Sequence, residues 1–399
     1  GVEHDFEKDG LDLIIRDGRL TANGTTLGGD NGVAVALMLM VLDDDEIEHP
    51  PVECVFTTEE EVGLNGAKAL DKSVLKAITM INMDSEDEGV ATVSCAGGLR
   101  VQFTKEIQRT TVQGSLLTLK VEGLLGGHSG QDIDKERQNA DLLMARMIQR
   151  LLKETKGQLV SFNGGTKDNA IPRECEASLI YESDEEAAKA EELACELAET
   201  YAEELTPAEP DFSCEISCET NRTAEAIPQD AAKEFICAMR LAPNGIQKRN
   251  IKMDGFVVVS LNLGVVRTEE DRIVMIFSPR SSVASLQEDT KERLNTLAET
   301  FGFTVSHSSE YPGWSFKEDS PVREICKESY KELFGEDLKI EAIHAGLECG
   351  LFSDAIKGLD AIAIGPTIAN CHTPDEYLTL DSFERFYEFL KDILSRLAK

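Results

Sequence analysis

Basic side chains are scarce in this sequence. Forty Lys and Arg stand against 74 Asp and Glu in 399 residues, a formal net charge of −34. Nucleic acid and anionic membrane surfaces are repelled by such a chain, so neither is expected as a partner. Long apolar runs are also missing. The longest apolar region, 33–42, falls short of the ~18 residues of a membrane span and runs into Asp43-Asp44-Asp45. The opening residues, Gly1-Val2-Glu3-His4-Asp5, carry no initiator Met and no basic-then-apolar pattern of a secretion signal. The ten cysteines include no C-x-x-C pair and read as reduced thiols, which sets the expectation of a cytoplasmic protein. What is present suffices for folded cores. Hydrophobic residues make up 41% of the chain, and the length favours two or three domains.

Residues 1–97 alternate short strands and helices. A hairpin is expected over 11–16 and 19–21 around Asp17-Gly18. Helices are expected at 32–42, 66–70 and 73–76, and buried strands at 52–57 and 79–83. Short apolar strands separated by helices predict a mostly parallel sheet of the α/β class. The rhythm changes near Gly98. A strand at 116–122, a helix at 140–153, strands at 158–162 and 175–181, a long acidic helix at 185–204 and a strand at 211–218 form a β-α-β-β-α-β order, a ferredoxin-like unit. A similar layout follows: helix 229–241, strands 257–266 and 273–277, helix 285–301, strand 303–307. Tyr311-Pro312-Gly313-Trp314 reads as a linker. Helix 321–334, strands 339–343 and 361–364 and helix 382–397 then return to α/β character. The expected architecture is one discontinuous α/β domain, 1–97 and 313–399, interrupted by an inserted α+β domain, 98–312, with a duplicated layout.

Acidic and histidine features fall at strand ends or in the loops that follow. Asp30 lies in Thr26-Leu27-Gly28-Gly29-Asp30-Asn31-Gly32, just before a helix. Glu59, Glu60 and Glu61 follow the expected strand ending at Thr57. Asp84 follows the strand 79–83, and His372 follows Gly365-Pro366-Thr367. In open α/β sheets ligands bind beyond the carboxyl ends of strands. Carboxylates gathered there repel one another and lose hydration unless a cation compensates. Mixed Asp, Glu and His ligands suit zinc, with Co2+ or Mn2+ as further options. One carboxylate can bridge two ions ~3.5–4 Å apart. A plainer reading stands beside this one: the Glu triplet as a solvated charge run, Asp30 as a helix cap, His372 as a polar loop residue.

Six ordered motifs carry a resemblance. They are Leu27-Gly28-Gly29-Asp30-Asn31-Gly32, the segment 58–63, Asn82-Met83-Asp84-Ser85-Glu86, Cys95-Ala96-Gly97-Gly98, His344-Ala345-Gly346-Leu347-Glu348-Cys349-Gly350 and His372-Thr373-Pro374-Asp375-Glu376. Together they resemble the two-zinc metallopeptidases that include aminoacylase and carnosinase, nearest the bacterial aminoacyl-histidine dipeptidase branch, almost end to end. The resemblance implies that Asp30 bridges two zinc ions, that Glu61 and His372 complete one site, and that Asp84 binds at the other. Glu60, in the family's Glu-Glu-x-Gly pattern, would be the general base acting on a zinc-bound water. The inserted domain would be a lid, hinged near Gly97-Gly98 and Pro312-Gly313. From it His128 in Gly126-Gly127-His128-Ser129-Gly130 would steady the oxyanion. Asn169 would approach the substrate, and Arg280 would grip its C-terminal carboxylate.

One departure stands out. The family places a His-x-Asp motif upstream of the bridging Asp, and no His-x-Asp occurs in this sequence. The second zinc site is therefore incomplete here, and the natural chain is expected to extend further N-terminally. The implied activity is metal-dependent hydrolysis of dipeptides, Xaa-His such as β-alanyl-histidine or a broader set. A deacylase of N-acyl amino acids, an aminotripeptidase, and a non-catalytic peptide-binding relative remain open. A doubled lid either replaces a partner subunit or builds the face of a homodimer.

Overall fold

The computed structural model describes residues 2–251 and 255–399. They form two compact units: residues up to Cys95 together with Gly313–Lys399, and Ala96–Pro312. Among the described residues no helix is long and apolar enough to cross a membrane.

The first unit is built on a four-stranded sheet in the order Lys339–Ile343, Val90–Cys95, Asp360–Ala363, Thr79–Asn82. Its two outer pairs are parallel and its central pair antiparallel, so the sheet is mixed. The strand Val90–Cys95 was not among those expected; its mix of Thr, Ser and Ala among valines dilutes the apolar signal. A second, antiparallel sheet runs Leu13–Arg16, Arg19–Ala22, Tyr377–Thr379, Ile368–Ala369. The expected hairpin is present. Asp17 and Gly18 both take positive φ, 51° and 73°, as the twist of a two-residue hairpin requires. This sheet ties the start of the chain to the turn carrying His372.

Helix Pro321–Phe334 shows why its ends were legible. The Ser320 hydroxyl accepts from the Arg323 N–H, Pro321 sits in the first turn, and Gly335 closes the helix in the left-handed region. Tyr330 and Phe334 pack on Phe389 of helix Leu380–Leu397. The expected strand at 52–57 does not form. A strand needs a ladder, and no described strand pairs with this segment. Its polar groups are used singly instead: Glu53 accepts from the Lys76 and Ala77 amides, and Thr57 donates to Glu348.

The second unit is one nine-stranded sheet, antiparallel throughout. One half runs Ser213–Ala226, Thr110–Glu122, Cys175–Tyr181, Gln158–Gly164, with helices Ala140–Glu154 and Asp184–Leu205. That is the strand order of a ferredoxin-like unit. The other half runs Phe256–Thr268, Arg272–Ser281, Gly97–Glu106, Thr304–Tyr311, with helices Gln229–Leu241 and Ala284–Thr300. It repeats the same order. Its first strand, Gly97–Glu106, comes before the whole first half in the chain, so the first half is inserted inside the second. The core joins both halves through Phe103, Phe277, Phe162, Phe235, Tyr181 and Tyr201.

Candidate active site

Asp30 lies at the start of helix Gly29–Asp43, where Asp30 and Asn31 have non-helical φ/ψ. The cap is not Asp30. Asn31 Oδ1 accepts from the Ala34 N–H at 3.1 Å, and Asn31 Nδ2 donates to the Met83 carbonyl at 3.1 Å and to Asp84 Oδ1 at 3.3 Å. Asn31 thus starts the helix and ties it to the loop after strand Thr79–Asn82. The Asp30 carboxylate is left free for other work.

The acidic triplet is sorted by its backbone. Glu59 takes φ of 55°, and its Oε2 accepts from Asn65 Nδ2 at 3.1 Å. Glu60 and Glu61 face the other acids. His372 Nε2 lies 3.4 Å from Asp30 Oδ2 and 3.6 Å from Glu61 Oε1. The donor atoms of Asp30, Glu61 and His372 all fall within 4.8 Å of one another, and so do those of Asp30, Glu86 and Cys371. The charge of Asp30 raises both the Glu61 and the Asp84 carboxyls, which puts it in the central place that a bridging ligand needs.

Electrostatics give the fit for a cation. Burial first, then the charges of Asp30, Glu60 and Glu348, hold the Asp84 carboxyl well above its usual range. Burial and the charges of Glu61, Glu348 and Asp30 raise Glu60, with His372 opposing. Burial and Asp30 raise Glu61. Burial raises Glu86 and Glu348 as well. Each of these carboxyls is pushed toward its proton-bound form by its surroundings. A divalent cation reverses that balance. The donor set, carboxylates with one imidazole, suits such an ion.

Two residues here had no role in the sequence reading. Glu348, at the start of helix Glu348–Ala355, is half-buried and adds charge to both Glu60 and Asp84. Glu376 is 2% exposed and accepts from four consecutive backbone N–H groups, those of Leu27, Gly28, Gly29 and Asp30. Both lie in quoted motifs, and that was their only signal.

The three site residues expected in the inserted domain lie in the second unit. The two-residue strands Gly127–His128 and Ala170–Ile171 pair, and the Ser129 N–H donates to the Asn169 carbonyl at 2.8 Å. His128 and Asn169 are thereby neighbours. His128 Nδ1 accepts from the Gly130 and Gln131 amides at 3.2 and 3.0 Å. Two donors aimed at Nδ1 place the proton on Nε2. Burial, then the Arg280 charge, lowers the His128 pKa, which favours this neutral form. Arg280 is 7% exposed. Its Nη1 donates to the Tyr311 hydroxyl at 3.0 Å, and its Nε finds no partner among the described residues.

Comparison with known proteins places this arrangement. The family model described as peptidase family M20/M25/M40 matches residues 3–396. The cytosol non-specific dipeptidase of Escherichia coli is 34% identical over 400 residues, covering 99% of this chain and 81% of that protein. The crystal structure of aminoacylhistidine dipeptidase from Vibrio alginolyticus superposes with a TM-score of 0.94 at 35% identity, covering 99% of this chain and 81% of that one. Aminopeptidase PepT from Bacillus cereus, at 16% identity and a TM-score of 0.52, shares the fold over 99% of this chain and 78% of that one.

Proposed function

The chain belongs to peptidase family M20/M25/M40, and from that membership we propose that it hydrolyses dipeptides, Xaa-His among them, at a centre of two divalent cations, zinc by the chemistry of its donors. Likeness to two dipeptidases over 99% of the chain supports the dipeptide over an N-acyl amino acid or a tripeptide. The observation that carries the reading is the convergence of Asp30, Glu61 and His372 beside Asp84, where burial and neighbouring carboxylates push the Glu61 and Asp84 carboxyls toward their proton-bound forms. A cytoplasmic setting suits the ten free cysteines.

Asp30 would be shared by both cations, with Glu61 and His372 on one and Asp84 on the other. When bound, the cations would acidify a water and polarise the scissile carbonyl. Glu60 is the base. It is half-buried, faces the same centre, and has its pKa raised toward the range where a carboxylate both takes and returns a proton. It accepts a proton from the attacking water as the new C–O bond forms. It then gives that proton to the amine as the C–N bond breaks. The products are two amino acids. His128, neutral and with its proton on Nε2, donates to the carbonyl oxygen as charge builds there. Asn169 orients the substrate, and Arg280 offers its guanidinium to the free C-terminal carboxylate. A carboxylate held one residue beyond the broken bond limits the leaving side of the substrate to a single residue.

The test is a substrate panel on the zinc-loaded protein: β-alanyl-histidine, other Xaa-His and non-His dipeptides, tripeptides and acetylated amino acids. Dipeptides should turn over, and Glu60→Gln should retain metal while losing about 10²–10⁴-fold in kcat. Faster turnover of tripeptides or acetylated amino acids would contradict the reading.

A further inference from the structure

Asp30 and His372 must present their donors to one ion from opposite ends of the chain. The loop before Asp30 has little of its own to hold it. Gly28 is in the left-handed region at φ 70°, and Asp30 and Asn31 are not helical. Glu376 supplies what is missing. It lies four residues beyond His372, and its own N–H donates to the Thr373 carbonyl at 3.2 Å, within the same turn. Its Oε2 accepts from Leu27 (2.8 Å) and Gly28 (3.0 Å), and its Oε1 accepts from Gly29 (2.7 Å) and Asp30 (3.2 Å). The fit is close: a Cβ on Gly29 would stand 3.1 Å from Glu376 Oε1 and 3.4 Å from Ile368 Cγ2.

We propose that Glu376 is a positioning residue that locks the Asp30 loop onto the His372 turn, so that the two donors form one preorganised cation site. The inference rests on the metal-centre reading above and goes beyond it, because both Glu376 oxygens are taken up by main-chain N–H groups. A carboxylate matches four N–H donors, two to each oxygen. A glutamine of the same shape matches two, and turns its own N–H groups against the others. Released from its anchor, the loop must be ordered again at each binding event, which weakens the site.

The experiment titrates metal-free full chain with Zn2+ against a chelating competitor. It compares the wild type with Glu376→Gln, Gly29→Ala and, as a control for the loss of one exposed carboxylate, Glu384→Gln. Glu376→Gln should bind zinc about 10–100-fold more weakly, Gly29→Ala should fall between it and the wild type, and Glu384→Gln should match the wild type. A lower melting temperature of the metal-free Glu376→Gln protein with unchanged zinc affinity would assign Glu376 a purely structural role and overturn the proposal. Should Glu376→Gln fail to fold, Gly29→Ala decides: wild-type affinity there overturns it equally. A wild type that binds no zinc would instead defeat the metal-centre reading, and this inference with it.

Discussion

At the scale of single residues, the site turns on which carboxylate faces what. Three consecutive glutamates are alike in sequence; the backbone at Glu59 and its bond to Asn65 separate it from Glu60 and Glu61. Asn31 takes over the helix cap and frees Asp30. These assignments need coordinates, because a motif fixes order and spacing but not direction. The same limit hid Glu376: a carboxylate enclosed by main-chain N–H groups has no signature of its own. His128 offers a sharp test of the proposed donor role. Its Nδ1 is already occupied by two amides, so only Nε2 is free to donate. His128→Ala should cost about 10²–10³-fold in kcat with KM nearly unchanged. An effect confined to KM would mean that His128 holds the ground-state substrate rather than the developing oxyanion.

At the scale of elements, helices were the most legible parts. Amphipathic spacing and end residues located Ala140–Glu154, Gln229–Leu241 and Pro321–Phe334 within a residue or two. Segment 52–57 misled because apolar content marks burial and β propensity but not the presence of a neighbouring strand. Strand Gly97–Glu106 was missed, and with it the nesting of one ferredoxin-like half inside the other, since pairing between distant segments leaves no local trace. Helix Ala140–Glu154 also carries a buried acid. Asp141 is fully covered, sits against Gly164 where any Cβ would collide with its Oδ1, and burial pushes its carboxyl up to about 8, with the Cys175 thiol and Arg267 opposing. The folded chain therefore keeps a proton that the unfolded chain releases near pH ~4. The stability Asp141 contributes is complete below that pH and is lost as pH rises toward about 8. Asp141→Asn cannot ionise. Urea unfolding at pH 5 and pH 8 should show that it removes a pH-dependent loss on the order of a few kcal/mol. A wild-type slope preserved in the variant would show that Asp141 is ionised in the fold.

At the scale of the whole molecule, the chain closes a loop on itself. The sheet joining Arg19–Ala22 to Tyr377–Thr379 and the bonds from Glu376 to residues 27–30 bring the first and last stretches of the sequence to one place. The metal-centre reading depends on that closure, because Asp30, Glu61 and Asp84 come from the first stretch and His372 from the last. Ordered motifs at both ends of the sequence made the set legible, although nothing local to either end records that they meet. The most direct test is an anomalous difference map at the zinc edge, from crystals of the full chain grown with zinc. Strong peaks among Asp30, Glu61, Asp84 and His372 are predicted. A fully loaded protein with its zinc bound elsewhere, and no peak between these four side chains, would contradict the account.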